Sequence, residues 1–126
     1  MLVIEAKNIE QDEVLDLSWK ERDFVAISQE FIRSKINKVL IVSGLRGTGK
    51  TTGMLQLVRK NDGLYLSSER GESETAQDYI DLIKNSPQKV IAIDEYTWIK
   101  DRERLCLDSI ISSCVQYGKR IILTGT

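Results

Sequence analysis

Four short apolar runs punctuate the chain: Val39-Leu40-Ile41-Val42, Leu64-Tyr65-Leu66, Val90-Ile91-Ala92-Ile93 and Ile121-Ile122-Leu123. Each is short and mostly aliphatic, with β-branched residues in three of the four, so each reads as a strand, the first as a buried one; the third, a continuous apolar run, reads as covered on both faces. Between the runs the apolar spacing changes to three and four. Met54, Leu55 and Val58 predict a helix from Thr51 to Lys60, and Ala76, Tyr79, Ile80, Leu82 and Ile83 predict another over 74–85. Leu105, Leu107, Ile110, Ile111, Cys114 and Val115 predict a third over 102–117. Ahead of the first run, Phe24, Val25, Ile27, Phe31, Ile32 and Ile36 form one face of an amphipathic helix over 19–36, with Ser18 and Glu21 spaced as a capping box. Stop signals fall at Asn61-Asp62-Gly63, Pro87 and Gly118. Leu2-Val3-Ile4 reads as a short strand, 8–16 as a polar loop or weak helical turn, and 67–73 as a polar, glycine-bearing loop.

Strands that alternate with helices predict an α/β fold: a parallel sheet with right-handed crossovers and flanking helices. The organisation expected is an N-terminal segment and packed amphipathic helix over 1–37, followed by a core over 38–126. In such a sheet the reactive groups belong at the carboxyl ends of the strands.

The strand at 39–42 runs into Gly44-Leu45-Arg46-Gly47-Thr48-Gly49-Lys50-Thr51, which fits G-x-x-x-x-G-K-[ST], and a predicted helix follows. That context is the one this phosphate-binding loop requires. Glycines allow backbone N–H groups to turn inward onto phosphate oxygens, and the helix start adds unpaired N–H groups and a positive dipole end. The candidate nucleotide-binding residues are Gly44, Arg46, Gly47, Thr48, Gly49, Lys50, Thr51 and Thr52. Lys50 is expected to meet the β- and γ-phosphates, and Thr51 to ligate Mg²⁺. The third run ends in Asp94-Glu95. A strand tip facing a metal–nucleotide needs one acid to organise the Mg²⁺ shell, here Asp94, and a base for the attacking water, here Glu95. Thr124 is a softer candidate for contact with the γ-phosphate or that water. Arg70, Arg102 and Arg104 are candidate transition-state cations that read better as solvated side chains, Trp98 reads as packing, and Trp19 and Phe24 are candidates for the base pocket that read better as core packing.

Composition narrows the alternatives. With no histidine, Ser-His triads and His-bearing zinc sites are excluded. A net charge of −1 gives no case for nucleic acid or an anionic membrane surface. No apolar run is long enough to cross a bilayer and the N-terminus does not read as a signal peptide, so a cytoplasmic location is expected. Cys106 and Cys114 read as buried thiols, since eight residues along a helix separate them by about 12 Å, too far for a disulfide.

Together, Gly44 to Thr52, Val90 to Glu95 with the following Trp98, and Arg120 to Thr126 resemble the AAA-like P-loop ATPases of bacteria and archaea, near the archaeal ATPase and STAND group. The likeness covers about 38–126. It implies a three-layer sheet of the additional-strand, catalytic-glutamate type, in which the 121–123 strand lies between the 39–42 and 90–93 strands. It also implies phosphate and Mg²⁺ binding by Gly44, Gly49, Lys50 and Thr51, an acid and base at Asp94 and Glu95, and a polar sensor at Thr124. Relatives of this kind continue past that fourth strand, so the sequence reads as truncated there, with a lid or effector domain and any arginine finger missing. Turnover is therefore expected to be low, and the strand at 39–42, left at a sheet edge, is expected to favour self-association. Mg-ATP binding with hydrolysis is the leading function; a small-molecule phosphotransferase and a non-catalytic nucleotide-binding module are the rivals. The absence of an N-K-x-D segment after the loop disfavours GTP, and the absence of L-S-G-G-Q disfavours a transporter ATPase.

Overall fold

A computed structural model describes residues 1–9, 19–33, 39–43, 50–68, 75–106 and 119–125. Its strands are β1 (Leu2–Glu5), β2 (Val39–Ser43), β3 (Leu64–Ser67), β4 (Val90–Asp94) and β5 (Arg120–Gly125). Its α-helices are α1 (Trp19–Arg33), α2 (Lys50–Lys60) and α3 (Ala76–Asn85). The strands form one sheet in the order β1-β3-β4-β5-β2, parallel except for β1, which runs antiparallel to β3. As the resemblance implies, β5 lies between β2 and β4, with Ile41 opposite Leu123 and Ile91 opposite Ile121. Among the described residues β2 ends the sheet, and its Ile41 is 49% exposed.

Strand alternation divides the core in two. Leu64, Leu66, Ile91, Ile93, Ile121 and Leu123 project to one face and pack with Tyr79, Ile80 and Ile83 of α3, and with Ile99 and Leu105. Tyr65, Ala92 and Ile122 project to the other and pack with Met54, Leu57 and Val58 of α2 and Val25 and Phe31 of α1. The result is the expected three-layer arrangement. Every residue of β4 is buried, as its unbroken apolar run requires of a central parallel strand. Fully burying side chains such as Leu57 or Ile93 contributes roughly 1.5–3 kcal/mol each.

The helix ends follow local chemistry. At the end of α2, Gly63 N–H donates to Val58 O at 2.8 Å while Asp62 takes a left-handed conformation (φ 51), so the chain turns straight into β3. Gly63 is needed for close approach, because a Cβ there would lie 2.6 Å from Val90 O. At the start of α3, Thr75 and Asp78 form a reciprocal capping box. Lys119, 3% exposed, extends its ammonium back to the carbonyls of Ile83 and Ser86, tying the C-terminal end of α3 to the entry of β5.

Several boundaries differ from the sequence reading. Leu2 to Glu5 belongs to the core sheet, so the N-terminal segment does more than pack on it. Ser67 closes β3 and Ser68 is buried, where a polar loop was expected, because pairing with β4 carries on to Ser67–Asp94 and Ser68 N–H donates to Asp94 O at 3.1 Å. β5 extends through Gly125, which places Thr124 inside the strand. Arg102–Cys106 is 3₁₀ rather than α-helical, following Asp101 with φ 56. The remainder of the helix expected over 102–117, Cys114 included, lies outside the described residues, as do Ser18 and 34–36.

Candidate functional site

Asp94 is the last residue of β4 and is 2% exposed. Three hydroxyls converge on its carboxylate. Thr51, in the first turn of α2, donates to Oδ2 at 2.8 Å, and Tyr65 of β3 donates to the same oxygen at 2.9 Å. Thr124 of β5 donates to Oδ1 at 3.0 Å. The Thr124 hydroxyl is also 3.0 Å from Met54 Sδ, but its single proton belongs with the stronger, charged acceptor.

Strand register produces this convergence. Ala92 and Asp94 share the α2 face of β4, and Ile122 and Thr124 share it on β5. Tyr65 pairs with Ala92, two positions short of Asp94, and the small Ala92 side chain leaves its ring room to lean toward the carboxylate. Burial, reinforced by the adjacent Asp94 charge, raises the Tyr65 phenol well above its ordinary pKa, so it remains a proton donor.

Glu95 begins the turn after β4 in a left-handed conformation, φ 56 and ψ 41. A non-glycine residue held there costs about 1–2 kcal/mol, and strain of this kind collects at functional sites. The 3₁₀ turn Tyr96–Trp98 follows and lies against the end of β5. A Cβ on Gly125 would come within 2.9 Å of Thr97 Cγ2 and 3.2 Å of the Tyr96 ring, so the missing side chain is what lets the Glu95 turn approach the sheet.

The structure thus brings together Thr51, Asp94 and Thr124, and Glu95 follows Asp94 directly in the chain. Lys50 is the first residue of α2, and Thr52 follows Thr51 within it. Gly44, Arg46, Gly47, Thr48 and Gly49 lie outside the described residues, as do Arg70 and the side chains of Lys50, Trp19 and Phe24. Arg102 is exposed and donates to Thr97 O at 3.4 Å, and Arg104 donates to Gln77 at 2.9 Å on the surface. Trp98, read from the sequence as a packing residue, is 41% exposed. Tyr65 was missed as a site residue; its signal was a phenol in an otherwise apolar strand, which needs a buried hydrogen-bond partner.

The donor set fits a magnesium ion better than a metal cage. No group of three or more His, Cys, Asp or Glu residues able to hold a metal occurs among the described residues. Magnesium usually takes one or two protein oxygen ligands and completes its shell with water and substrate phosphate. One carboxylate beside one hydroxyl at a helix start, Asp94 and Thr51, matches that demand.

None of the helices among the described residues is long and apolar enough to cross a membrane. No curated protein matches the chain. A family model for the AAA domain matches residues 36–126, from just before β2 to the last residue of the sequence. With well over half of its length matched, and with the sheet order and the Thr51–Asp94 contact in place, the chain belongs to the AAA domain family.

Proposed function

We propose that this chain binds Mg-ATP at the carboxyl end of β2 and β4 and hydrolyses its β–γ bond. Family membership supports a nucleotide-binding, ATPase-type role. The observation that carries the finer reading is the 2.8 Å hydrogen bond between Thr51 and Asp94, which joins the end of the phosphate-binding motif to the acid at the β4 tip.

In this reading the loop over 44–49 and Lys50 hold the phosphates. Thr51 and Asp94 would hold the magnesium ion, which would supply neutralisation of the β- and γ-phosphate charge. Glu95 accepts a proton from a water in line with the γ-phosphorus. The water oxygen bonds to phosphorus, the bond to the β–γ bridging oxygen breaks, and ADP leaves with that electron pair. Thr124 holds the Asp94 carboxylate from the side opposite Thr51.

The test is calorimetry with Mg-ATP together with phosphate release. Lys50→Ala is expected to lose most of the affinity while its circular dichroism stays that of the parent. Glu95→Gln is expected to keep binding and lose about 10²-fold or more in turnover. Equal Mg-ATP affinity in the parent and Lys50→Ala would overturn the nucleotide site; a Glu95→Gln chain with undiminished turnover would remove Glu95 as the base.

A further inference from the structure

Burying a tyrosine where a phenylalanine would fill the same space costs free energy unless the hydroxyl is hydrogen-bonded. Tyr65 is 3% exposed among Met54, Ala92 and Ile122, and its hydroxyl reaches Asp94 Oδ2 at 2.9 Å. That oxygen also receives Thr51, which is exposed at the start of α2. From the Mg-ATP reading of this site, we propose that Tyr65 is a positioning residue for the divalent cation: through Asp94 it turns the Thr51 proton inward and leaves the Thr51 lone pairs facing the metal.

The geometry works as a relay of orientation. An exposed threonine hydroxyl rotates freely unless an acceptor fixes its proton. Asp94 is such an acceptor only while its carboxylate plane is held, and Tyr65 and Thr124 hold it through opposite oxygens. Rotation about the last torsion of Asp94 would break the bonds to all three hydroxyls together. Without the phenol, Oδ2 keeps Thr51 as a partner but loses its buried anchor, so the plane tilts and Thr51 follows. Partners of this kind behind a metal ligand are worth 10–100-fold in metal affinity.

Tyr65→Phe keeps the ring in the core and removes the hydroxyl. The experiment measures binding of a non-hydrolysable ATP analogue to the full chain by calorimetry, once in EDTA and once with Mn²⁺, and counts bound Mn²⁺ by electron paramagnetic resonance. The expected result is unchanged analogue affinity in EDTA and about tenfold or greater loss of Mn²⁺ affinity in the analogue complex. Mn²⁺ affinity within twofold of the parent overturns the proposal. So does an equal loss with and without metal, which would show that the hydroxyl merely supports the fold. A parent chain that binds the analogue under neither condition overturns the Mg-ATP reading itself, and this inference with it.

Discussion

The Thr51 hydroxyl, at the start of α2, donates a 2.8 Å hydrogen bond to Asp94, at the tip of β4, across 43 positions of sequence. β2, the strand that precedes α2, does not pair with β4, since β5 intervenes between them. The bond therefore depends on the crossover that sets α2 over the face carrying Ala92 and Asp94. It also closes a set of contacts drawn from β3, β4, β5 and α2.

The hydroxyls on Asp94 are expected to respond differently to removal, because water reaches Thr51 and does not reach Thr124. Thr51→Val should change folding stability by less than about 1 kcal/mol, since Tyr65 still donates to the same carboxylate oxygen, while weakening Mg-ATP binding about tenfold or more. Thr124→Val deprives a buried carboxylate of a donor and should cost about 1–3 kcal/mol of stability. Urea unfolding of both variants, with calorimetry on Thr51→Val, makes the comparison. Equal stability losses would contradict the difference in burial.

Glu95 occupies a conformation that glycine adopts without strain. Glu95→Gly should recover about 1 kcal/mol of backbone strain, offset in part by the greater entropy of a glycine-bearing unfolded chain. The expected outcome is unfolding at an equal or higher urea concentration, with turnover reduced as in Glu95→Gln. A clear loss of stability would mean that the Glu95 side chain holds the turn in place.

Gly125→Ala puts a methyl group 2.9 Å from Thr97 Cγ2. Overpacking of this kind typically costs 1–3 kcal/mol. Thr97→Ser removes the carbon atom in the way, so the double variant should recover part of both stability and turnover. Thermal melts and phosphate release on the four chains of this mutant cycle give the coupling. Strict additivity would show that the turn has room to move aside.

Tyr65 supplies a pH dependence. Its folded-state pKa is raised above its unfolded value of about 10, by burial first and the Asp94 charge second. The folded chain thus keeps a proton that the unfolded chain releases as pH climbs past that value. This contribution to stability is complete below pH 10 and declines above it, with a limiting slope of about 1.4 kcal/mol per pH unit. Denaturant melts between pH 8 and about 11 should show a steeper decline in the parent than in Tyr65→Phe. Parallel curves would mean that Tyr65 ionises as readily folded as unfolded.

Much of this architecture was legible because the apolar parallel strands β2, β4 and β5 and the amphipathic helices α2 and α3 each leave a distinct hydrophobic period. The position of β5 between β2 and β4 came from the resemblance, since no period carries strand order. Asp94 and Thr51 stood out by their places in motifs. Tyr65 did not, because its role depends on which face of β3 meets α2, and a four-residue apolar strand does not reveal its register. Gly125 looked like the end of a strand, and only the approach of Thr97 gives it a purpose. The left-handed Glu95 was equally hidden, since glutamate carries no preference for that conformation. β1 pairs across a wide sequence gap without a hairpin turn to announce it.

The hydroxyl network on Asp94 has a thermodynamic consequence. Oδ1 and Oδ2 have their hydrogen-bond partners without any ligand, so this part of the site is preorganised. Ordering a rotamer-rich side chain on binding costs about 0.5–1.5 kcal/mol, and here folding has already met that cost for Asp94, Thr124 and Tyr65. A ligand arriving at Thr51 then exchanges water for itself beside a fixed wall. The conformational entropy lost on binding should come from elements other than β3, β4 and β5, and methyl and amide order parameters in these strands should hardly change between the free and bound chain.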